Sequence, residues 1–322
     1  MNERQPSLPA DRRAEFLALT AELCPQLHRY CARLTGSVID GEDVVQDTLA
    51  KALAALGEIE PMPQLRPWLF RIAHNRALDL LRSRAARMAE PIEAASEIAD
   101  EGKPDPVEAL MRQQAVETAV SRFAELPVVQ RSVVILKDVL DEPLKDIAGL
   151  LDLTVDAVKA HLARGRARLR AINAQPPAFA EARPASAAVK RYIAMFHERD
   201  WEGLRGLLAD DVKLHQSTYS VRVGAADVGR FFNIYAKFEG VRLAPAWVEG
   251  REVIAVFEAG GGAKPSYFMW LEWRDGRISF IRDYRYARYI VTDAEIVLAA
   301  DGDAVAATRA DGSGRGQGGA PT

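Results

Sequence analysis

The sequence predicts a multidomain chain, two all-α helical domains followed by an α+β domain. Three observations predict it. Apolar residues recur at helical spacing through residues 11–88 and again through 107–172. From about residue 188 short runs rich in Val, Ile, Tyr, Phe and Trp take over. Acidic or Pro-rich stretches without large aromatics separate the blocks. A length of 322 residues suits two or three compact units, and 48% hydrophobic with 27% charged residues is an ordinary globular composition.

In the first block Leu17, Leu23, Leu27 and Leu34 mark one helix, and "TGS" at 35–37 marks a turn. "DGEDVVQDTLAKALAAL" resumes the pattern through Val45, Leu49, Leu53 and Leu56, until Gly57 and the prolines at 61, 63 and 67 interrupt it. "WLFRIAHNRALDLLRSRAARM" is a third helix, with Leu69, Ile72, Ala73, Leu80 and Leu81 as core and Trp68 and Phe70 packed beside them. Residues 89–106 are acidic and read as a flexible linker.

The second block, 107–172, has Pro127 at a helix start and two helices, "LKDIAGLL" and "TVDAVKAHLARGRARLR", joined through "DL". That is the layout of a helix-turn-helix. Thr154 is a suitable N-cap and Asp156 complements the helix dipole. Val155, Val158, Leu162 and Leu169 line one face, while Ala157, Ala160, His161 and Arg164 centre the other, flanked by Lys159, Arg166 and Arg168. In such a module the second helix enters the major groove, small residues allow close approach, and arginines meet phosphate. The local excess of cations contrasts with a formal net charge of −3 for the whole chain.

A second linker is expected over 173–187, then an α+β domain over 188–298. Its helical start, "VKRYIAMFHERDWEGLRGLLADD", precedes the runs "VKLHQSTYSVRVG", "VRLAPAWVEG", "EVIAVFEA", "SYFMWLEWRDG" and "RISFIRDYRYARYIV", with a hairpin at "RDGR". Asp211 is expected to cap the helix-to-strand turn. Gly260–Gly262 beside Lys264 lacks the phosphate-loop pattern and reads as a hairpin turn. The Gly-rich tail, 299–322, is expected to be disordered. Cys24 and Cys31 form no C-x-x-C pair and read as buried free thiols, and the five histidines make no metal motif. "MNERQPSLPADRR" has no apolar segment of the secretory kind, no run reaches membrane-spanning length, and a cytoplasmic location is expected.

The upstream block narrows the function. Asp43, Gln46 and Asp47 fall at i, i+3 and i+4, on one helical face. With Val45, Leu49, Lys51 and Ala52, and then Trp68, Leu69, Ile72, Ala73, Asn75, Asp79 and Arg82, they resemble region 2 of the extracytoplasmic-function (ECF) group of sigma-70 family factors. Residues 125–170 similarly resemble region 4. The resemblance implies core-polymerase binding through Asp43, Gln46 and Asp47, on the β′ clamp helices, with β the other polymerase partner. It implies capture of a flipped −10 base by the loop Glu58–Arg66, and contact with the −10 element through Arg66, Asn75, Arg76, Asp79 and Arg82. It implies −35 recognition by Thr154, Ala157, Lys159, Ala160, His161, Arg164 and Arg166. Basic residues on helix 71–87, among them Arg71, Arg84 and Arg87, would hold the separated strand.

The last domain resembles the SnoaL-like branch of the NTF2-like fold, a cone-shaped α+β domain that in some sigma factors tunes activity. It leaves a small-molecule ligand or an intramolecular contact as its partner. The lead reading is therefore a sigma factor that directs core polymerase to promoter DNA, with no catalytic residue, cofactor, metal or membrane partner. Two alternatives stay open. One is a helix-turn-helix regulator that binds operator DNA alone and senses a ligand through its C-terminal domain. The other is a tethered enzyme, with His215, Tyr219, Asp283 and Tyr284 as donors and acceptors.

Overall fold

A computed structural model describes residues 10–56, 64–88, 119–175, 182–217, 221–260 and 262–300. The linker 89–106, the helix start at 107–118, most of the loop before Arg66, Tyr219 and the tail beyond 300 lie outside the described residues. The chain forms two compact units, Met1–Phe179 with Tyr286–Glu295, and Ala180–Arg285 with Ile296–Thr322. Among the described residues no helix is long and apolar enough to cross a membrane.

The first unit opens with helices α1 (Ala10–Thr35), α2 (Val38–Ala55) and α3 (Leu65–Met88). Gly36, at φ 79°, turns the chain between α1 and α2, and Ser37 Oγ caps α2 by accepting from the Asp40 amide at 3.1 Å. The helices then cross closely. A Cβ on Gly41 would stand 2.6 Å from the Ala32 backbone, so only glycine fits. Leu27, Tyr30, Cys31, Leu34, Val45 and Leu69 fill the space between α1, α2 and α3. Cys24 and Cys31 are indeed buried free thiols, and burial pushes the Cys24 thiol up to about 11.

The same core continues into α4 (Val128–Val134), α5 (Leu144–Leu151) and α6 (Val155–Asn173). α4 runs on as one π-helical turn, Ile135–Val139, where the Leu140 amide reaches the Ile135 carbonyl at 3.0 Å. Arg131 ties this half to α1. Its buried guanidinium donates to the carbonyls of Leu34, Ala124 and Leu126 at 2.6, 2.6 and 2.8 Å. Gly165 lets α6 lie against α4, for a Cβ there would meet Val134 Cγ2 at 2.6 Å.

Ten residues from far down the chain complete this unit. The run "RISFIRDYRYARYIV", expected among the short runs of the α+β domain, is strand only to Asp283. Tyr286–Glu295, with a short helix at Ile290–Asp293, belongs to the first unit. Tyr289 Oη donates to Glu42 Oε2 at 2.9 Å, and its ring lies 5.3 Å from that of His28. Asp293 pairs with Arg33 at 3.0 Å and with Arg29 at 3.7 Å. An aromatic ring alternates as well in a strap as in a strand. Only the buried partners awaiting it, Glu42 and His28, decide which it becomes.

In the second unit α7 (Ala187–His197) and α8 (Trp201–Gly206) pack on a sheet. Its strands are β1 (Leu208–Gln216), β2 (Arg222–Val223), β3 (Arg242–Val248), β4 (Arg251–Phe257), β5 (Tyr267–Arg274), β6 (Arg277–Asp283) and β7 (Ile296–Leu298). Their order is β2-β1-β6-β5-β4-β3-β7, with β1 and β6 parallel and the other pairs antiparallel. Two-residue turns close both tight hairpins. Glu249-Gly250 has φ 52° and 76°, and Asp275-Gly276 has φ 53° and 75°, the left-handed pairs that suit the strand twist. Asp211 is not a turn cap. It lies within β1, exposed, and pairs with Arg274.

Candidate nucleic-acid interface

On α2 the burial pattern separates Glu42, which is fully buried, from Asp43 and Asp47, which are exposed, with half-buried Gln46 between. Gln46 Nε2 donates to Glu42 Oε1 at 2.6 Å. Asp43, Gln46 and Asp47 thus share one outward face, as helical spacing requires. Across from it, α3 presents Asn75, Asp79 and Arg82 to solvent and keeps Arg76 half-buried. Arg76 Nη2 meets Asp47 Oδ2 at 2.5 Å, Arg76 Nη1 lies 3.8 Å from Asp79, and Asp79 lies 3.5 Å from Arg82. A groove of about 320 Å³ runs between the helices, lined by Asp43, Val44, Asp47, Arg76, Asp79 and Leu80. Behind it Arg84 holds the Asp40 carboxylate at 2.6 Å.

Arg66, at the start of α3, does not project from a loop. Its Nε donates to Glu142 Oε1 at 3.0 Å, its Nη1 donates to Gln26, and its guanidinium stands 5.2 Å from the Phe70 ring. Phe70 is core, as expected, and Trp68 packs against the core half-buried. Arg71 donates to the Gly149 carbonyl of α5 at 2.9 Å.

The helix-turn-helix is α5 and α6. The turn needs one residue in the left-handed region, and Asp152 supplies it at φ 58°. Thr154 Oγ1 accepts from the Ala157 amide at 3.1 Å, capping α6. Val158, Leu162, Gly165, Leu169 and Ile172 face inward. Val155, expected on that face, is exposed instead. The outward surface carries Thr154, Lys159, Arg168 and Arg170 exposed, with Ala157, Ala160, His161 and Arg164 half-buried. Lys159 pairs with Asp156 at 3.2 Å. The neutral form of His161 is favoured by burial and then by Arg164, which lies 3.4 Å away. Arg166 turns the other way, its Nε and Nη2 bound to the two oxygens of Asp138 at 3.0 and 2.7 Å. Arg168, expected beside the outward face, and Arg170, two residues further on, are both exposed cations.

In the second unit the four residues considered for acid–base work do not assemble. His215 pairs in register with Arg282, and Gln216 with Asp283. Successive strand residues face opposite sides, so His215 and Asp283 stand on different faces of the sheet. His215 lies beside Phe280, its charged form disfavoured by burial and then by Arg282 and Lys213. Asp283 is buried and receives Gln216 Nε2 at 2.6 Å. Tyr284 is buried against Phe268, and Tyr219 lies outside the described residues. Among the described residues no cluster of three metal-ligating side chains occurs.

A capped helix-turn-helix with an outward cationic surface is joined in one core to a three-helix block with an acidic face. Family comparisons make this specific. The Sigma-70 region 2 family model matches residues 19–87, the Sigma-70 region 4 model 117–169, and the SnoaL-like domain model 189–281. ECF RNA polymerase sigma factor SigM of Mycobacterium tuberculosis (strain H37Rv) is 34% identical over 45% of this chain and 69% of its own length. ECF RNA polymerase sigma factor SigG of the same strain is 31% identical over 61% of this chain. The match spans 60% of SigG. The crystal structure of the M. tuberculosis ECF sigma factor SigJ aligns at 19% identity with 85% of this chain and 98% of its own, with a TM-score of 0.33. The chain belongs to the ECF RNA polymerase sigma factors and carries a C-terminal SnoaL-like domain.

Proposed function

We propose that this chain directs core RNA polymerase to a specific set of promoters in the cytoplasm, as a non-enzymatic subunit whose C-terminal domain modulates that activity. The observation that carries the reading is the order of two sigma modules on one chain, region 2 at 19–87 and region 4 at 117–169. In this reading residues 11–88 form the polymerase- and −10-binding domain, 107–172 the −35-binding domain, and 188–285 with 296–298 the modulating domain, since 286–295 completes the first unit.

Asp43, Gln46 and Asp47 offer two carboxylates and an amide to a cationic helical surface, the chemistry the β′ clamp helices would present. Arg76, Arg82 and Asn75 take phosphates and bases of the opened −10 strand. Arg66 joins them only when Glu142 and Gln26 release it. On α6, Thr154, Ala157, Lys159, Ala160, His161 and Arg164 face the −35 major groove, while Arg166 supports the helix from behind. The same chemistry gives Arg168 and Arg170 phosphate contacts.

The test is transcription in vitro with purified core polymerase and fragmented genomic DNA, with transcript starts mapped by sequencing. Discrete starts sharing two spaced elements are expected. Starts identical to those of core polymerase alone would refute the reading.

A further inference from the structure

The sheet of the second unit has a face that the proposed function leaves unused. Val212, Leu214, Ile254, Met269, Leu271 and Ile281 share one core with α7 and α8. Side chains alternate along a strand, so Lys213, His215, Arg251, Trp270, Phe280 and Arg282 stand on the opposite face. The register gathers them. Lys213 lies beside Phe280 and His215 beside Arg282 across β1 and β6, and Trp270 lies beside Arg282 across β5 and β6. Three half-buried rings thus run side by side over three strands, with the Phe280 centroid 5.0 Å from that of His215 and 5.8 Å from that of Trp270. Cations flank them. The Arg251 guanidinium stands 4.6 Å from the Trp270 centroid, and Arg282 Nη1 lies 3.3 Å from His215 Nδ1. Lys213 is exposed and acts on the same imidazole as Arg282. These three cations meet one carboxylate, Glu272 beside Phe280, while Asp211 on β1 is held by Arg274.

We propose that this face binds single-stranded DNA, with bases stacked on Trp270 and Phe280 and the backbone held by Lys213 and Arg282. Aromatic rings and guanidinium planes on adjacent strands offer flat surfaces to bases, and the flanking cations answer the phosphates. Such stacking tolerates any sequence, because every base has a π face. A duplex keeps its base faces in its own stack, so the single strand is preferred. The choice of DNA rests on the sigma reading, in which the opened promoter is the single strand at hand. The face itself does not depend on that reading.

The test uses the full-length protein and a labelled oligothymidylate, with binding followed by fluorescence anisotropy across a salt series. The same strand carrying iodouracil is photocrosslinked and the attached peptides are identified by mass spectrometry. Crosslinks within β1, β5 and β6 are expected. Crosslinks confined to α3 and α6 would overturn the proposal. Trp270→Leu should weaken binding about fivefold or more, the loss of one stacked base. Lys213→Gln and Arg282→Gln should each flatten the log–log salt slope by about 0.7, the loss of one phosphate contact. Unchanged affinity and slope would overturn the proposal. Lys213 is exposed, so its variant carries the test even where Trp270→Leu fails to fold, and melting curves decide that. Tighter binding of oligouridylate would overturn the choice of DNA. Dimerisation that Trp270→Leu abolishes and DNA does not would assign the face to a second copy of the chain and overturn the proposal. Failure of the wild-type protein to direct transcription would instead sink the sigma reading, because binding and crosslinks are read without polymerase.

Discussion

Arg166 and Asp138 form a two-pronged ion pair beneath the recognition helix, with the Asp138 side chain wholly shielded from solvent. A cation expected at DNA therefore fastens α6 to the π-helical turn that follows α4. Removing it strands a buried carboxylate, which costs about 3–5 kcal/mol. Arg166→Ala should lower unfolding stability by that order in urea titration. Arg166→Lys should recover little, because a single ammonium cannot copy the planar fork.

Backbone proximity gives a second expectation. Gly41→Ala drives a Cβ to within 2.6 Å of the Ala32 backbone at the α1–α2 crossing, where neither helix has a flexible end to yield. A loss of about 1–3 kcal/mol is expected in thermal or chemical melts. Gly149→Ala is the control, since nothing lies within 4 Å of a Cβ there and the exposed helical site gains about 1 kcal/mol in propensity.

The strap residue Tyr289 gives a third. Tyr289→Phe keeps the ring beside His28 but removes the donor to Glu42. Loss of a hydrogen bond to a buried carboxylate costs about 1–3 kcal/mol. Amide hydrogen exchange should quicken in α1 and α2, and Asp293→Asn should act in the same direction through Arg33.

Acid sensitivity follows from two buried imidazoles. Burial lowers His28 and His74 from the ordinary 6.5 to about 4. In the unfolded chain both take up protons below 6.5, while in the folded chain they resist until about 4. Stability is therefore lost as pH falls through that window, with a slope of up to about 1.4 kcal/mol per pH unit for each histidine. Denaturation midpoints measured at successive pH values should fall across that window. His74→Gln should flatten the slope.

Local chemistry carried much of this in the sequence. Asp275-Gly276 announced its hairpin, Thr154 its cap, and the spacing of Asp43, Gln46 and Asp47 their shared face. What was hidden needed a partner distant in the chain. Helical spacing sets Arg166 beside Leu162 and Leu169 rather than beside Arg164, but only the fold places Asp138 there to receive it. His215 and Asp283 looked compatible until the β1–β6 register set them on opposite faces. The aromatic run after Asp283 had strand composition, but composition does not say which core receives it.

That run bears on how the C-terminal domain can be studied. Cutting the chain after α6 removes Tyr289 and Asp293 along with the SnoaL-like domain, leaving Glu42 and Arg33 without those partners. A truncated protein with altered transcription would then report two injuries at once. An internal excision that grafts residues 286–295 back through a flexible linker separates them, leaving α1 and α2 their strap and removing only the second unit.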